Sequence, residues 1–286
     1  MRIAIFGTVV VLAGMAGQQF LQVADDTAGS STPKVGASPT GATQAGATQA
    51  TPPAAGKAPN SPAGAAAAAA DKRERSRANL RKIALALHNY HDVFGRFPPS
   101  VIVDPQSGTP RSWRVELLPF LERPDLYSAY DKSQPWDSET NRRVLAKMPD
   151  VYRHESQAAD ATMTSVVGIT GLQGFFPPVD AAAIDPKSPP IGRKIAEIPD
   201  GTSNTIALVE TRSDIPWTAP KDLELTNPEK TPILVRFDDK PTLAVLADGS
   251  DVQIVAPEKA QTWFTIRGNQ LSEPTAVLRS VPPPRP

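Results

Sequence analysis

His88 and His91 stand three residues apart, and on a helix that spacing turns both imidazoles to one side, where they can share a metal. A third ligand would have to come from Asp92, His154 or elsewhere. His91, however, falls on an apolar stripe and no further ligands cluster around the pair, so packed histidines are the better reading and no metal is assigned. Asp200-Gly201-Thr202-Ser203-Asn204-Thr205 contains a serine that would need an adjacent general base to act as a nucleophile. No such partner is marked, and residues of these types usually bond their own backbone in turns. Trp136 and Trp217 each follow a proline, Pro135 and Pro216. Exposed, they and Trp113 would offer indole platforms for a sugar ring or a partner; buried, they are core. The chain has no Gly-x-Ser-x-Gly elbow, no His-Glu-x-x-His and no P-loop, so it is read as a non-enzyme with no catalytic residues and no cofactor.

Composition narrows the classes further. Among 286 residues, 30 Lys+Arg balance 30 Asp+Glu, which leaves no basic excess to follow a phosphate backbone, and no nucleic-acid partner is expected. The absence of cysteine removes disulfide frameworks, thiolate metal sites and lipidated-cysteine anchors together. Proline, at 31 residues, is well above its usual frequency of about 5%.

Residues 1–26 read as a signal peptide or signal anchor. Met1-Arg2 gives a short positive start, and 3–24 carries no charge. Gly14-Met15-Ala16 offers small residues suited to cleavage, whereas an uncleaved 3–24 is long enough to anchor the chain in a membrane. Either way the expected location is exported: periplasmic, cell-surface or inner-membrane anchored. Residues 27–70 follow as a disordered Ala/Pro/Thr/Gly-rich linker whose only larger aliphatic is Val35, too little to offset the entropy of folding. Its prolines and glycines would interrupt any continuous helical rod from the apolar segment to the folded part.

From residue 71 to 94 neither Gly nor Pro occurs. Leu80, Ile83, Ala84, Leu87, His91 and Phe94 recur at steps of three and four, which predicts one long amphipathic helix stopped by Gly95 and Pro98-Pro99. Its basic first half, with Lys72, Arg73, Arg75, Arg77, Arg81 and Lys82, reads as a solvated face, with anionic lipid or wall polymer as the sharper alternative. Ser112 is placed to cap a short helix interrupted at Pro119, and Asp137 or Ser138 another at 139–148. Strands are expected at 162–169, 175–176, 205–210, 243–247 and 251–255. Asp248-Gly249 suits a two-residue type I′ hairpin turn. That turn pairs Val245 with Val252 and Leu243 with Ile254 on one apolar face.

Several of these segments, in order, resemble the bacterial domain-of-unknown-function 1559 (DUF1559) family. The likeness is carried by Ala78-Asn79-Leu80-Arg81-Lys82-Ile83 through Leu87-His88-Asn89-Tyr90-His91-Asp92, by Phe97-Pro98-Pro99, and by Ser112-Trp113-Arg114-Val115-Glu116-Leu117-Leu118-Pro119. Pro135-Trp136-Asp137-Ser138, the motif with Asp200, Gly201, Ser203 and Asn204, Pro216-Trp217-Thr218 and the turn at Asp248-Gly249-Ser250 complete it. The resemblance covers about residues 72–256. It implies an α+β, pilin-like fold in an extracytoplasmic protein: one long N-terminal amphipathic helix on an antiparallel sheet, with Pro-rich loops and short extra helices. It carries no catalytic residues. The chain departs from the family in lacking a prepilin-type signal and a glycine-rich ending, and in carrying Asp238 where some relatives have His. Residues 71–256 are thus expected to form the domain, and 257–286 a C-terminal extension with a Pro-rich tail.

The leading expectation is an exported, non-enzymatic pilin-like domain in an envelope-scaffold or secretion-associated role. Its partners would be envelope or secretion-system proteins, with membrane contact only through 3–24. A binding module for polysaccharide or a small solute, using exposed Trp136, Trp217 or Trp113, is the alternative. An enzyme acting on wall polymer would need two carboxylates about 5–10 Å apart across a cleft.

Overall fold

A helix, α1 (Pro62–Phe94), opens the described part of the chain in the computed structural model, which describes residues 61–179, 185–227, 232–256, 264–266 and 278–280. The expected export segment, the linker up to residue 60 and the tail 281–286 lie outside these residues. All that is described belongs to one compact unit, Gly56–Pro286.

Helix α1 starts nine residues before the expected position. Ser61 caps it by accepting a hydrogen bond from the Gly64 amide at 3.0 Å, Pro62 supplies a preset φ in the first turn, and the 65–70 alanine run propagates it. The expected linker is therefore helical from Pro62 onward. At the other end Gly95, at φ 71°, closes the helix with its amide bonded to the His91 carbonyl. Leu80, Ile83, Ala84 and Leu87 are buried as their spacing requires, but Phe94 is exposed. The basic half is solvated only in part: Lys72, Arg75 and Lys82 are exposed, the others are engaged. Arg77 is buried and, with Arg81, holds Asp251 at 2.7 and 2.6 Å, while Arg73 donates to the Pro241 carbonyl at 2.6 Å. Among the described residues no helix is long and apolar enough to cross a membrane.

The helix lies on a sheet built from β3 (Val166–Thr170), β4 (Ile206–Glu210), β5 (Leu223–Glu224), β6 (Thr242–Leu246), β7 (Asp251–Ile254) and β8 (Leu278–Ser280), in the order β5-β3-β4-β6-β7-β8. All pairs are antiparallel except β3 with β5, so the sheet is mixed and not the purely antiparallel one expected. A separate hairpin, β1 (Val101–Val103) with β2 (Pro110–Ser112), precedes it. Both faces of the main sheet are covered. Leu243 and Val245 join Leu80, Ile83 and Trp113 in one core, whereas Ala244, Leu246, Val252 and Ile254 join Ile215, Leu225 and Phe264 in another. Phe264, Ile266 and strand β8 all lie beyond residue 256, so the described residues there, 264–266 and 278–280, pack with the domain.

The β6–β7 hairpin corrects the expected register by one residue. Val245 faces Asp251 and Ala244 faces Val252, because the loop has three residues, Ala247, Asp248 and Gly249. The Gly249 amide bonds the Leu246 carbonyl, and the Leu246 amide bonds the Ser250 carbonyl, each at 2.9 Å. A type I′ turn needs positive φ at both central residues; here only Gly249 has it, at 91°. The slip carries no apolar cost because β6 is buried on both sides, and it sets Asp251 under the helix beside Arg77 and Arg81.

The capped short helices form where Ser112 and Ser138 place them: α2 (Trp113–Glu116) and α4 (Glu139–Leu145), with α3 (Pro124–Ala129) between. Both serine hydroxyls accept an amide of the first turn.

Candidate functional site

The polar residues of the 200–205 and 248–249 motifs build a joint between elements. Gly201, at φ 84°, turns the chain into a 3₁₀ turn, Thr202–Asn204. Asn204 Nδ2 donates back to the Asp200 carbonyl at 2.8 Å, and Ser203 is left exposed. The free carbonyls of this turn then receive the hairpin loop: the Ala247 amide bonds Thr205 and the Asp248 amide bonds Thr202, at 2.8 and 3.1 Å. From α1, His88 Nε2 donates to the Ala247 carbonyl at 3.0 Å, fixing its tautomer. His91 packs with Phe97 at 5.0 Å. Among the described residues no three metal-ligating side chains gather, and His154 lies in a different part of the surface, against Phe237.

Two of the three tryptophans proposed as platforms are core. Trp113 and Trp217 are fully buried, and each indole N–H is already used. Trp113 stacks on Phe176 and donates to Asp222 at 2.8 Å; Trp217 stacks on Tyr152 and donates to the Leu145 carbonyl at 2.9 Å. No face remains for a sugar. Trp136 is half-buried against the second core and is the one member of the set with any surface. Around Trp113 the fold encloses an ion pair. Arg114 bonds Asp222 at 2.5 Å and also the Val166 carbonyl and Ser112 hydroxyl, while Asp222 accepts the Gly168 amide at 2.7 Å. Burial pushes the Asp222 carboxyl up, and Arg114 and the two N–H donors pull it down. Every charge there is spent within the protein, so it is a structural hub.

The surface instead offers a polar cleft that the sequence did not single out as a site. Arg73 from α1, Glu210 from the end of β4, His154, and Arg236, Asp238 and Lys240 from the segment before β6 line it. Glu210 is only 9% exposed, and burial, reinforced by Asp238 and Glu155, pushes its carboxyl up to about 7 against the pull of Ser76 and Arg73. Burial likewise lowers the His154 imidazole and the Arg73 guanidinium. His154 lies flat on Phe237, ring centroids 3.9 Å apart, and lines both this cleft and a second one with Asp150, Arg153, Glu155 and Gln157. The first has about 20 Å³ free, room for one or two water-sized groups, and the second about 220 Å³. The legible signal was a lone carboxylate closing the apolar strand Ile206–Glu210. Asp238 lies in the same cleft.

Comparison with known proteins agrees with the motif order. A family model described as Protein of unknown function (DUF1559) matches residues 65–227, more than half of the chain. No curated protein and no solved structure matches it. The matched span takes in most of α1, the buried Trp113 hub, the 200–205 turn and strands β1 to β5, and on that extent of agreement the chain belongs to the DUF1559 family.

Proposed function

We propose that this chain is an exported, pilin-like display domain without enzymatic activity, tethered to or released from the cell envelope, where it meets envelope or secretion-system proteins. The observation that carries the reading is the long capped helix, Pro62–Phe94, whose C-terminal two-thirds are laid on the sheet while none of the described side chains from 61 to 72 is buried. A helix that projects before it docks suits a domain held away from its point of attachment. The uncharged stretch 3–24 supports the export half of the proposal. Fractionation of producing cells, with protease added to intact cells and to spheroplasts, tests it. The chain is expected in the envelope or medium and open to protease outside the inner membrane. A protected cytosolic pool with Met1 intact would overturn it.

A second reading, a module that binds a small polar solute, is favoured by the Glu210 cleft. It moves the recognition surface from the indoles to charged side chains.

A further inference from the structure

Four parts of the fold converge on the Glu210 cleft. Helix α1 contributes Arg73, with Ser76 behind it, and β4 contributes Glu210; His154 and Glu155 follow the 3₁₀ turn Asp150–Tyr152, and Arg236, Asp238 and Lys240 precede β6. Among the described residues, Arg73, Arg236 and Lys240 have no carboxylate within 4 Å, in contrast to Arg77, Arg81 and Arg114, which do. Glu210 has no cation within that distance either. Three cations without a close ion pair share the cleft with the exposed Asp238 and with the buried Glu210 carboxyl, which burial pushes up to about 7, so positive charge exceeds negative there. A guanidinium already half out of water, another guanidinium and an ammonium are the donors that recognise an oxyanion, and the gain is larger where water is excluded. Size divides the ligand in two. The base admits one oxygen-bearing group, and the neighbouring space across His154 takes a body of sugar or short-peptide dimensions.

We propose that this cleft binds the oxyanion end of a small polar solute, a carboxylate or a phosphate ester, with the body of the solute in the adjoining cleft beside Arg153 and Gln157. The proposal rests on the solute-binding reading above and is independent of export. It has a thermodynamic signature. An anion beside Arg73 also stands against Glu210, so binding holds the proton on that carboxyl, and affinity rises as pH falls through about 7 and levels off below. Burial lowers the His154 imidazole, so it works against, not with, the gain of positive charge as pH falls.

Titration calorimetry on the full chain, with glucuronate, inorganic phosphate and glucose as probes in two buffers of different ionisation heat, tests it. At least one anion is expected to bind about tenfold more tightly at pH 6 than at pH 8, with uptake of up to one proton, and glucose is expected not to. Binding by phosphate alone assigns the site to phosphate esters, and by glucuronate to carboxylates. Glu210→Gln should leave binding in place but flat with pH. Arg236→Gln, at an exposed position, should weaken it at every pH without moving the unfolding midpoint. No heat from either anion, glucose bound as tightly as glucuronate, proton release on binding, or indifference to Arg236→Gln would each overturn the proposal. None of these outcomes bears on where the protein is located.

Discussion

At the scale of single residues, Glu210 makes stability depend on pH in a direction opposite to most carboxylates. Its folded carboxyl sits at about 7, against 4.5 ordinarily, because burial disfavours the charge. Between those values the folded chain keeps a proton that the unfolded chain has released, so stability falls as pH rises through the window and is level above it. The difference amounts to about 3 kcal/mol. Urea unfolding of the wild type and Glu210→Gln at pH 4.5 and 8 should show the wild type losing about that much relative to the variant at the higher pH. An unchanged difference would mean the carboxyl is solvated. Residue chemistry was only partly legible beforehand. The turn-forming character of Asp200, Asn204, Asp248 and Gly249 follows from side chains that bond nearby backbone. The exposure of Trp113 and Trp217 did not, because burial is decided by segments far along the chain: Asp222 and Phe176 for one, Leu145 and Tyr152 for the other.

At the scale of elements, the β6–β7 hairpin shows what local pattern leaves open. Asp-Gly marks a turn, yet two- and three-residue loops both accept it, and they differ by one in register. The three-residue form requires positive φ at Gly249 alone. Gly249→Ala should therefore cost about 1 kcal/mol from the backbone. Its new methyl would meet Ala84 no closer than 3.8 Å, an ordinary contact. Asp248→Gly should also destabilise, since it frees the unfolded chain and removes the bond from the Ser250 amide. A gain in stability from that second change would restore the two-residue turn. Helix ends were easier to read: Ser112, Ser138 and Gly95 act through contacts within a turn of their own position.

For the whole molecule, the two ends of the domain differ in what they carry. None of the described side chains in the first turns of α1 is buried, whereas residues beyond 256 supply Phe264 and Ile266 to the cores and β8 to the sheet. A chain beginning at Asp71 should unfold within about 1 kcal/mol of the full chain, because only helix-end residues are lost. A chain ending at Ala256 should lose several kcal/mol, since emptying the Phe264 site alone costs about 3–5. Comparable losses from both truncations would show the helix overhang to be packed. The proline-rich composition of the tail concealed this, because the apolar residues that matter there are few and widely spaced.

The double-sided burial of β6 has a consequence for how the chain reaches this arrangement. Hydrophobicity rewards the native pairing and its one-residue neighbour alike. The choice falls to Asp251, which meets Arg77 and Arg81 only in the native pairing, across 174 and 170 positions of sequence. A hairpin closing by itself in microseconds has only the backbone preference of its turn to choose by, because Asp248 resists the positive φ of the two-residue form. Half-zipped strands in the wrong alignment must open again until the helix arrives. The rate of reaching the native state is therefore governed by that long-range encounter, and salt that screens it slows the search.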